Sequence, residues 1–170
     1  PTPAATRAKP LPGTLPQESR IIDVNGDGND DILTAVANDD TVGLYLGRGD
    51  GTFTETIIDV GNSPQSMVVG DFNGDGLADF MTHDNLDSRI SIVLGNGDGT
   101  FRARTSVSLT GLTDFYSGDF NGDGLQDVFC VTNRWGSEAV QLNDTSLSVF
   151  LKINKTSEQI IRFKSEGALT

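Results

Sequence analysis

A six-residue block occurs three times at one fixed interval. Asp23-Val24-Asn25-Gly26-Asp27-Gly28 recurs as Asp71-Phe72-Asn73-Gly74-Asp75-Gly76 and as Asp119-Phe120-Asn121-Gly122-Asp123-Gly124, each copy 48 residues after the last. A second block keeps the same step: Leu46-Gly47-Arg48-Gly49-Asp50-Gly51-Thr52-Phe53 returns as Leu94-Gly95-Asn96-Gly97-Asp98-Gly99-Thr100-Phe101. Pro16-Gln17 returns as Pro64-Gln65. Three independent markers at one period define one structural unit repeated along the chain. The division that follows is 1–15 as a linker or the end of a preceding unit, 16–63 as repeat 1, 64–111 as repeat 2, 112–146 as an incomplete repeat 3, and 147–170 as a divergent tail.

Short apolar or β-branched runs lie between the markers. In repeat 2 they are Ser66–Phe72, Asp79–Thr82, Arg89–Leu94 and Phe101–Leu109, each of strand length and bounded by Gly, Asn or Asp. Asn96-Gly97-Asp98-Gly99 has hairpin-turn composition, since Gly and Asn accept positive φ at little cost. One unit is therefore four antiparallel strands, and four-stranded units at this period predict β-propeller blades in an all-β chain. The 20 glycines and a hydrophobic content of 36% fit many turns and short strands better than long helices.

The first block carries the chemistry. With Asp71 as position 1, Asn73 is position 3, Asp75 position 5, Leu77 position 7 and Asp79 position 9. Side-chain oxygens at 1, 3, 5 and 9, with the backbone carbonyl at 7, can converge on one hard cation, and calcium takes 6–8 oxygens from such a compact loop. The same spacing selects Asp23, Asn25, Asp27, Asn29 (by its carbonyl) and Asp31, and again Asp119, Asn121, Asp123, Leu125 (by its carbonyl) and Asp127. Up to three calcium ions are expected. An oxygen-only donor set disfavours zinc and copper, and magnesium prefers a tighter octahedron that keeps its waters. An EF-hand would need a bidentate Glu at position 12, where this chain has Thr34, Thr82 and Cys130 between strand-like flanks.

The Asp-Phe-Asn-Gly-Asp-Gly-Leu-x-Asp blocks at 71–79 and 119–127, with Leu-Gly-Asn-Gly-Asp-Gly-Thr-Phe at 94–101, resemble the FG-GAP/VCBS repeats of integrin α-like propellers. The resemblance covers roughly residues 16–146. It implies that Asp71, Asn73, Asp75, Leu77 and Asp79, and their counterparts in the other two loops, are calcium ligands. It further implies a larger, about seven-bladed propeller, of which about three blades are present here, and a role in adhesion, ligand recognition or carbohydrate binding outside the cell. The chain departs from the family after residue 140, where Asn143-Asp144-Thr145-Ser146 replaces the hairpin block. Charge changes there too: the first 146 residues carry 8 basic and 22 acidic side chains, the rest 4 and 2. The chain begins at Pro1 and is read as a processed product or a fragment, with self-assembly of copies as the other way to cover open blade faces.

A net charge of −12 repels phosphate backbones and anionic lipid heads, so nucleic-acid and membrane-surface partners are not expected. No apolar run reaches the roughly 18–20 residues that span a bilayer. One cysteine, Cys130, allows no intrachain disulfide, and a small buried thiol is its expected state. No nucleophile, general base or cofactor cradle is visible, so no catalytic residue and no enzymatic activity is expected. His83 has no second His or nucleophile near it in sequence. Arg48-Gly49-Asp50 sits where the next copy has Asn96-Gly97-Asp98, and turn chemistry accounts for it. The loops between the second and third strands differ between copies: Ala37-Asn38-Asp39-Asp40, Asn85-Leu86-Asp87-Ser88 and Asn133-Arg134-Trp135-Gly136. Trp135 is the ligand-binding candidate, because an exposed indole stacks on sugars or anchors an interface. Asn143 and Asn154 lie in glycosylation sequons, which matter in a eukaryotic secretory route. The expected function is a calcium-binding extracellular or cell-surface module for adhesion or recognition of a protein or glycan, with a calcium-dependent lectin-like module or the non-catalytic propeller of a secreted hydrolase as alternatives.

Overall fold

The computed structural model describes residues 16–109, 111–119, 126–132 and 137–141. These form eleven strands and no helix: β1 Pro16–Ile22, β2 Asp31–Val36, β3 Thr41–Gly47, β4 Phe53–Asp59, β5 Pro64–Gly70, β6 Asp79–Asp84, β7 Arg89–Val93, β8 Thr105–Ser108, β9 Leu112–Gly118, β10 Asp127–Thr132 and β11 Ser137–Gln141. They make three antiparallel sheets in sequential order, β1-β2-β3-β4, β5-β6-β7-β8 and β9-β10-β11. The first two sheets are the four-stranded blades expected of the repeat.

Each sheet begins with the same irregularity. Pairing slips by one residue between Pro16 and Glu18 in β1 and between Pro64 and Ser66 in β5, and a matching shift occurs in β9 opposite Val131 and Thr132. Gln17 and Gln65 are therefore extra residues at strand starts. Proline is tolerated there because a first strand residue or a bulge needs no ladder N–H. The Pro-Gln repeat marker is the sequence trace of this bulge.

Repeat 2 departs from repeat 1 in its last strand. In blade 1, β4 pairs in unbroken register from Gly47↔Phe53 to Thr41↔Asp59. In blade 2 the corresponding run is interrupted: an isolated bridge pairs Gly95 with Phe101, then β8 resumes only at Ile92↔Thr105, one residue out of step. The slip brings Val107 opposite Ile90, where it packs on the core, instead of Ser106. The connection to the next sheet is one residue shorter, so the 48-residue period survives.

The sheets stack face to face. Leu33, Val42 and Leu44 of blade 1 meet Met67, Phe80 and Val93 of blade 2. Val68, Met81, Ile90 and Ile92, on the other face of blade 2, meet Phe115, Val128 and Cys130 of the third sheet. Cys130 is buried and forms no disulfide, as expected. Strand β6 is consequently buried at all six positions, whereas β2 alternates, with Leu33 and Ala35 buried and Ile32 and Thr34 half-buried. The face of blade 1 carrying Ile21 (67% exposed) and Ile57 (54% exposed) is the counterpart of the face that blade 2 presents to blade 1.

Asp84 is a carboxylate buried at the end of blade 2 away from the 71–79 loop. It accepts hydrogen bonds from Thr82 Oγ1 (2.7 Å) and Ser91 Oγ (2.5 Å), and a side chain at Gly61 would overlap it. Burial pushes its carboxyl above the ordinary range, against the pull of Ser91 and Thr82, with Arg104 nearby lowering it and Asp87 raising it. A raised folded-state pKa means that the folded chain holds a proton the unfolded chain releases above about pH 3.9. This contribution is fully present below that pH and is lost as pH rises through the folded value. Asp84→Asn, which cannot ionise, should therefore gain stability relative to the parent as pH rises from about 3 to 7, read by urea unfolding across that range. Phe80 stands edge-on to Phe101, with ring centroids 5.0 Å apart at 77°. Phe80→Ala should cost about 3–5 kcal/mol in the same assay, while Ile57→Ala should cost well under 1 kcal/mol because its side chain is already largely in water.

Candidate metal centres

The loop of blade 1 runs from the end of β1 to the start of β2, and the loop of blade 2 from β5 to β6. Both are organised by their own aspartates. Asp71 Oδ1 accepts the N–H groups of Gly74 (2.7 Å) and Asp75 (3.1 Å), and its Oδ2 accepts that of Gly76 (2.7 Å). Asp23 does the same for Gly26, Asp27 and Gly28 at 2.8, 3.3 and 2.8 Å. Asn73 Oδ1 accepts from Asp75 N, and Asp75 Oδ1 from Leu77 N, both at 2.9 Å. Asn25 and Asp27 repeat this with Asp27 N and Asn29 N at 3.0 and 2.8 Å. These are Asx turns in series, and Gly28 and Gly76, at φ +83° and +80°, supply the left-handed residue that closes each one. The Asn29 amide, helped by Asn25, holds the Asp27 carboxyl below the usual range.

Position 9 behaves differently. Asp31 and Asp79 are 0% and 1% exposed. Asp79 Oδ2 accepts Phe72 N (3.0 Å) inside its loop, and its Oδ1 accepts Gly95 N (2.8 Å) at the end of β7. Asp31 likewise joins Val24 N (2.9 Å) to Gly47 N (2.7 Å). Each carboxylate ties its loop to the hairpin that follows the third strand. The approach is so close that a Cβ at Gly47 or Gly95 would overlap the carbonyl of Asp30 or Ala78. Burial pushes the Asp79 carboxyl up to about 6, against the pull of the Gly95 and Phe72 amides, with Asp75 and Asp71 adding to the rise.

Sequence reasoning selected position 9 for its oxygens alone. It missed the role as a staple, whose sequence signal is the glycine 16 residues downstream, in both copies. In the third loop, Asp127 starts β10 and is 3% exposed. Asp119 is described, while Asn121, Asp123 and Leu125 lie outside the described residues, as do Trp135, Asn143, Asn154 and the segments 1–15 and 147–170.

The hairpin beside each loop uses the same local chemistry. Asp50 Oδ1 accepts Thr52 N and Thr52 Oγ1, and Asp98 Oδ1 accepts Thr100 N and Thr100 Oγ1. These threonine contacts hold both carboxyls below the ordinary range. Arg48-Gly49-Asp50 is thus a turn built like its copy. An open cavity of about 330 Å³ lies between loop and hairpin in blade 1, lined by Asn29, Asp30, Arg48, Thr52 and Phe53 among others. In blade 2 the Leu77 side chain lies against Gly97, where blade 1 has Asn29 against Gly49.

A sequence model of the FG-GAP-like repeat matches residues 23–82 and 80–130, more than half of the chain. The chain belongs to the FG-GAP-like repeat family. No curated protein matches it. In this FG-GAP-like chain the two fully described loops fit a hard cation by donor chemistry. Each supplies three carboxylates, an amide oxygen and a backbone carbonyl within nine residues, without nitrogen or sulfur ligands. The carboxylates are engaged with backbone N–H groups, and among the described residues no three His, Cys, Asp or Glu side chains are gathered at metal-binding spacing. Asp23 Oδ1 and Asp71 Oδ1 each accept two N–H groups, whereas the Oδ2 atoms of both and the two oxygens of Asp31 and Asp79 accept one each and keep a lone pair for a cation.

Replacing Asp79 with Ala should leave two buried N–H groups unpaired and cost about 2–4 kcal/mol even in EDTA. Asp71→Ala should cost less in EDTA, because its amides reach water. Chemical unfolding of the two variants in metal-free buffer checks the order.

Proposed function

We propose that this propeller-type module binds calcium through the loops 23–31, 71–79 and 119–127, and that it serves adhesion or ligand recognition outside the cell. The observation that carries the reading is the donor set repeated on both described loops, three carboxylates, an amide oxygen and a backbone carbonyl at the same spacing in nine residues. In the second loop burial pushes the Asp79 carboxyl up to about 6, and the neighbouring Asp75 and Asp71 carboxylates add to the rise. A divalent cation among them reverses that penalty. Asp71, Asn73, Asp75, the Leu77 carbonyl and Asp79 would hold the ion in blade 2, and Asp23, Asn25, Asp27, the Asn29 carbonyl and Asp31 in blade 1. The ion supplies charge neutralisation and a cross-link between backbone segments. No catalytic role is proposed, since neither loop offers a nucleophile.

Calcium at ten times its Kd stabilises a fold by about 1.4 kcal/mol per site, and three sites by on the order of 4 kcal/mol. That is a large share of a typical 5–15 kcal/mol. Extracellular calcium modules work at about 10⁻⁴–10⁻³ M, far above cytosolic levels, which supports a location outside the cell. The partner proposed is an extracellular protein or glycan.

Calorimetric titration of the EDTA-stripped chain with calcium, beside thermal melts, tests the reading. About three sites and a clear rise in melting temperature are expected. Asp75→Ala should lower the stoichiometry by one; an unchanged stoichiometry removes Asp75 from the ligand set.

A further inference from the structure

The two described loops match closely, yet a positive charge stands about 4 Å from a ligand carboxylate in the second loop and not in the first. Arg102 follows the blade 2 hairpin. Its backbone N–H is fixed on Leu94 O at 2.8 Å. Its Nε reaches Asn96 Oδ1 at 3.4 Å, and its Nη2 stands 3.9 Å from Asp75 Oδ2, the position-5 carboxylate. In blade 1 the residue 48 positions earlier is Thr54. There the arginine sits on the opposite side of the hairpin neck: Arg48 donates through Nε and Nη2 to Thr54 Oγ1, at 3.1 and 2.7 Å. Among the described residues, none of Asp23, Asp27 and Asp31 forms an ion pair.

The hydrogen bonds inside the two loops agree to within 0.2 Å at every matching pair, so backbone shape does not separate them. The charge at position 54 or 102 does. A guanidinium stays protonated at all working pH values. Placed within about 4 Å of a ligand oxygen, it takes part of the negative potential that a divalent ion would use.

We infer that Arg102 is an affinity-setting residue, an internal cation that weakens calcium binding in the second loop relative to the first and so grades the two sites. The inference rests on the calcium reading above. Partly exposed, the ion pair adds little to stability. Its effect falls on the ion instead. One positive charge a few ångströms from a divalent ion in water-like surroundings is worth roughly tenfold in affinity, and screening by salt brings this to about fivefold.

The test uses the full chain, nitrogen-15 labelled, stripped with EDTA and titrated with calcium chloride alone. The amides of Gly28 and Gly76 each donate to the first aspartate of their own loop, so each reports its own site. The second loop is expected to bind about fivefold more weakly than the first. Arg102→Thr should tighten the second loop by about that factor and leave the first unchanged. Thr54→Arg should weaken the first loop in turn, and Arg102→Lys should keep most of the weakening because it keeps the charge. These paired swaps separate the arginine from Asp30, the other charge difference between the loops. The gap should narrow between about 0.02 and 0.5 M sodium chloride. Melting of Arg102→Thr in EDTA should match the parent, which distinguishes an electrostatic role from a structural one. Calcium binding at both loops with a Gly76 titration that Arg102→Thr does not shift overturns the inference alone. No calcium-dependent shift at either glycine overturns the calcium reading and the inference together.

Discussion

The buried carboxylate at the ninth position of the loop is the interaction on which the rest depends. A carboxylate taken out of water is costly unless its oxygens are hydrogen-bonded. Asp79 satisfies that requirement with two amides from separate stretches of chain, Phe72 inside the loop and Gly95 beyond β7. Loop and hairpin therefore cannot move independently. The nine residues divide their work: the ninth anchors inward and is nearly inaccessible, whereas the third and fifth lie toward solvent, where an ion would arrive. The same division holds from Asp23 to Asp31, with Gly47 as the distant partner.

That staple reaches the neighbouring blade through packing. The hairpin fixed by Asp79 carries Phe101, whose ring meets Phe80 in the core between blades 1 and 2. It also carries Gly99, which lies against Leu46 of blade 1 with no room for a side chain. Blade 2 is thus tied to blade 1 at the loop end as well as through its sheet face. Glu18 adds a polar tie at the inner strands: its carboxylate accepts Met67 N across the junction at 2.6 Å while pairing with Arg20.

Much of this was legible in sequence, for a physical reason. A repeat must meet the same geometric demands in every copy, so its turn residues and strand lengths are written several times. The three glycine-aspartate blocks and the four-strand unit both followed from that redundancy. Features present in a single copy were not legible. The bulge before Thr105 has no marker in its own sequence, since a one-residue excess in β8 is cancelled by a shorter connection. Asp84 stands where repeat 1 has Val36, and its burial depends on Thr82, Ser91 and Gly61 gathering around it. The staple at position 9 was hidden because an oxygen that can bind a cation can equally accept an N–H.

At the opposite end of the blades the loops between second and third strands differ between copies, yet Asp40 in blade 1 and Asp87 in blade 2 are both committed. Asp40 accepts Val60 N through its carbonyl and Ser63 N through its side chain. Asp87 grips Asn62 through both N and Nδ2, contacts that hold its carboxyl below the ordinary range. The connection at 60–63 is clamped from both sides, and it contains Ser63 at φ +59°, a conformation that costs a non-glycine residue on the order of 1 kcal/mol. At the next connection Gly111 takes the corresponding position at φ +81°, which glycine adopts freely. There Ser88 stands where Asp40 stood, keeping the backbone bond to Leu109 without a carboxylate. Within this end of blade 2, Leu86 stands 75% exposed at the loop tip.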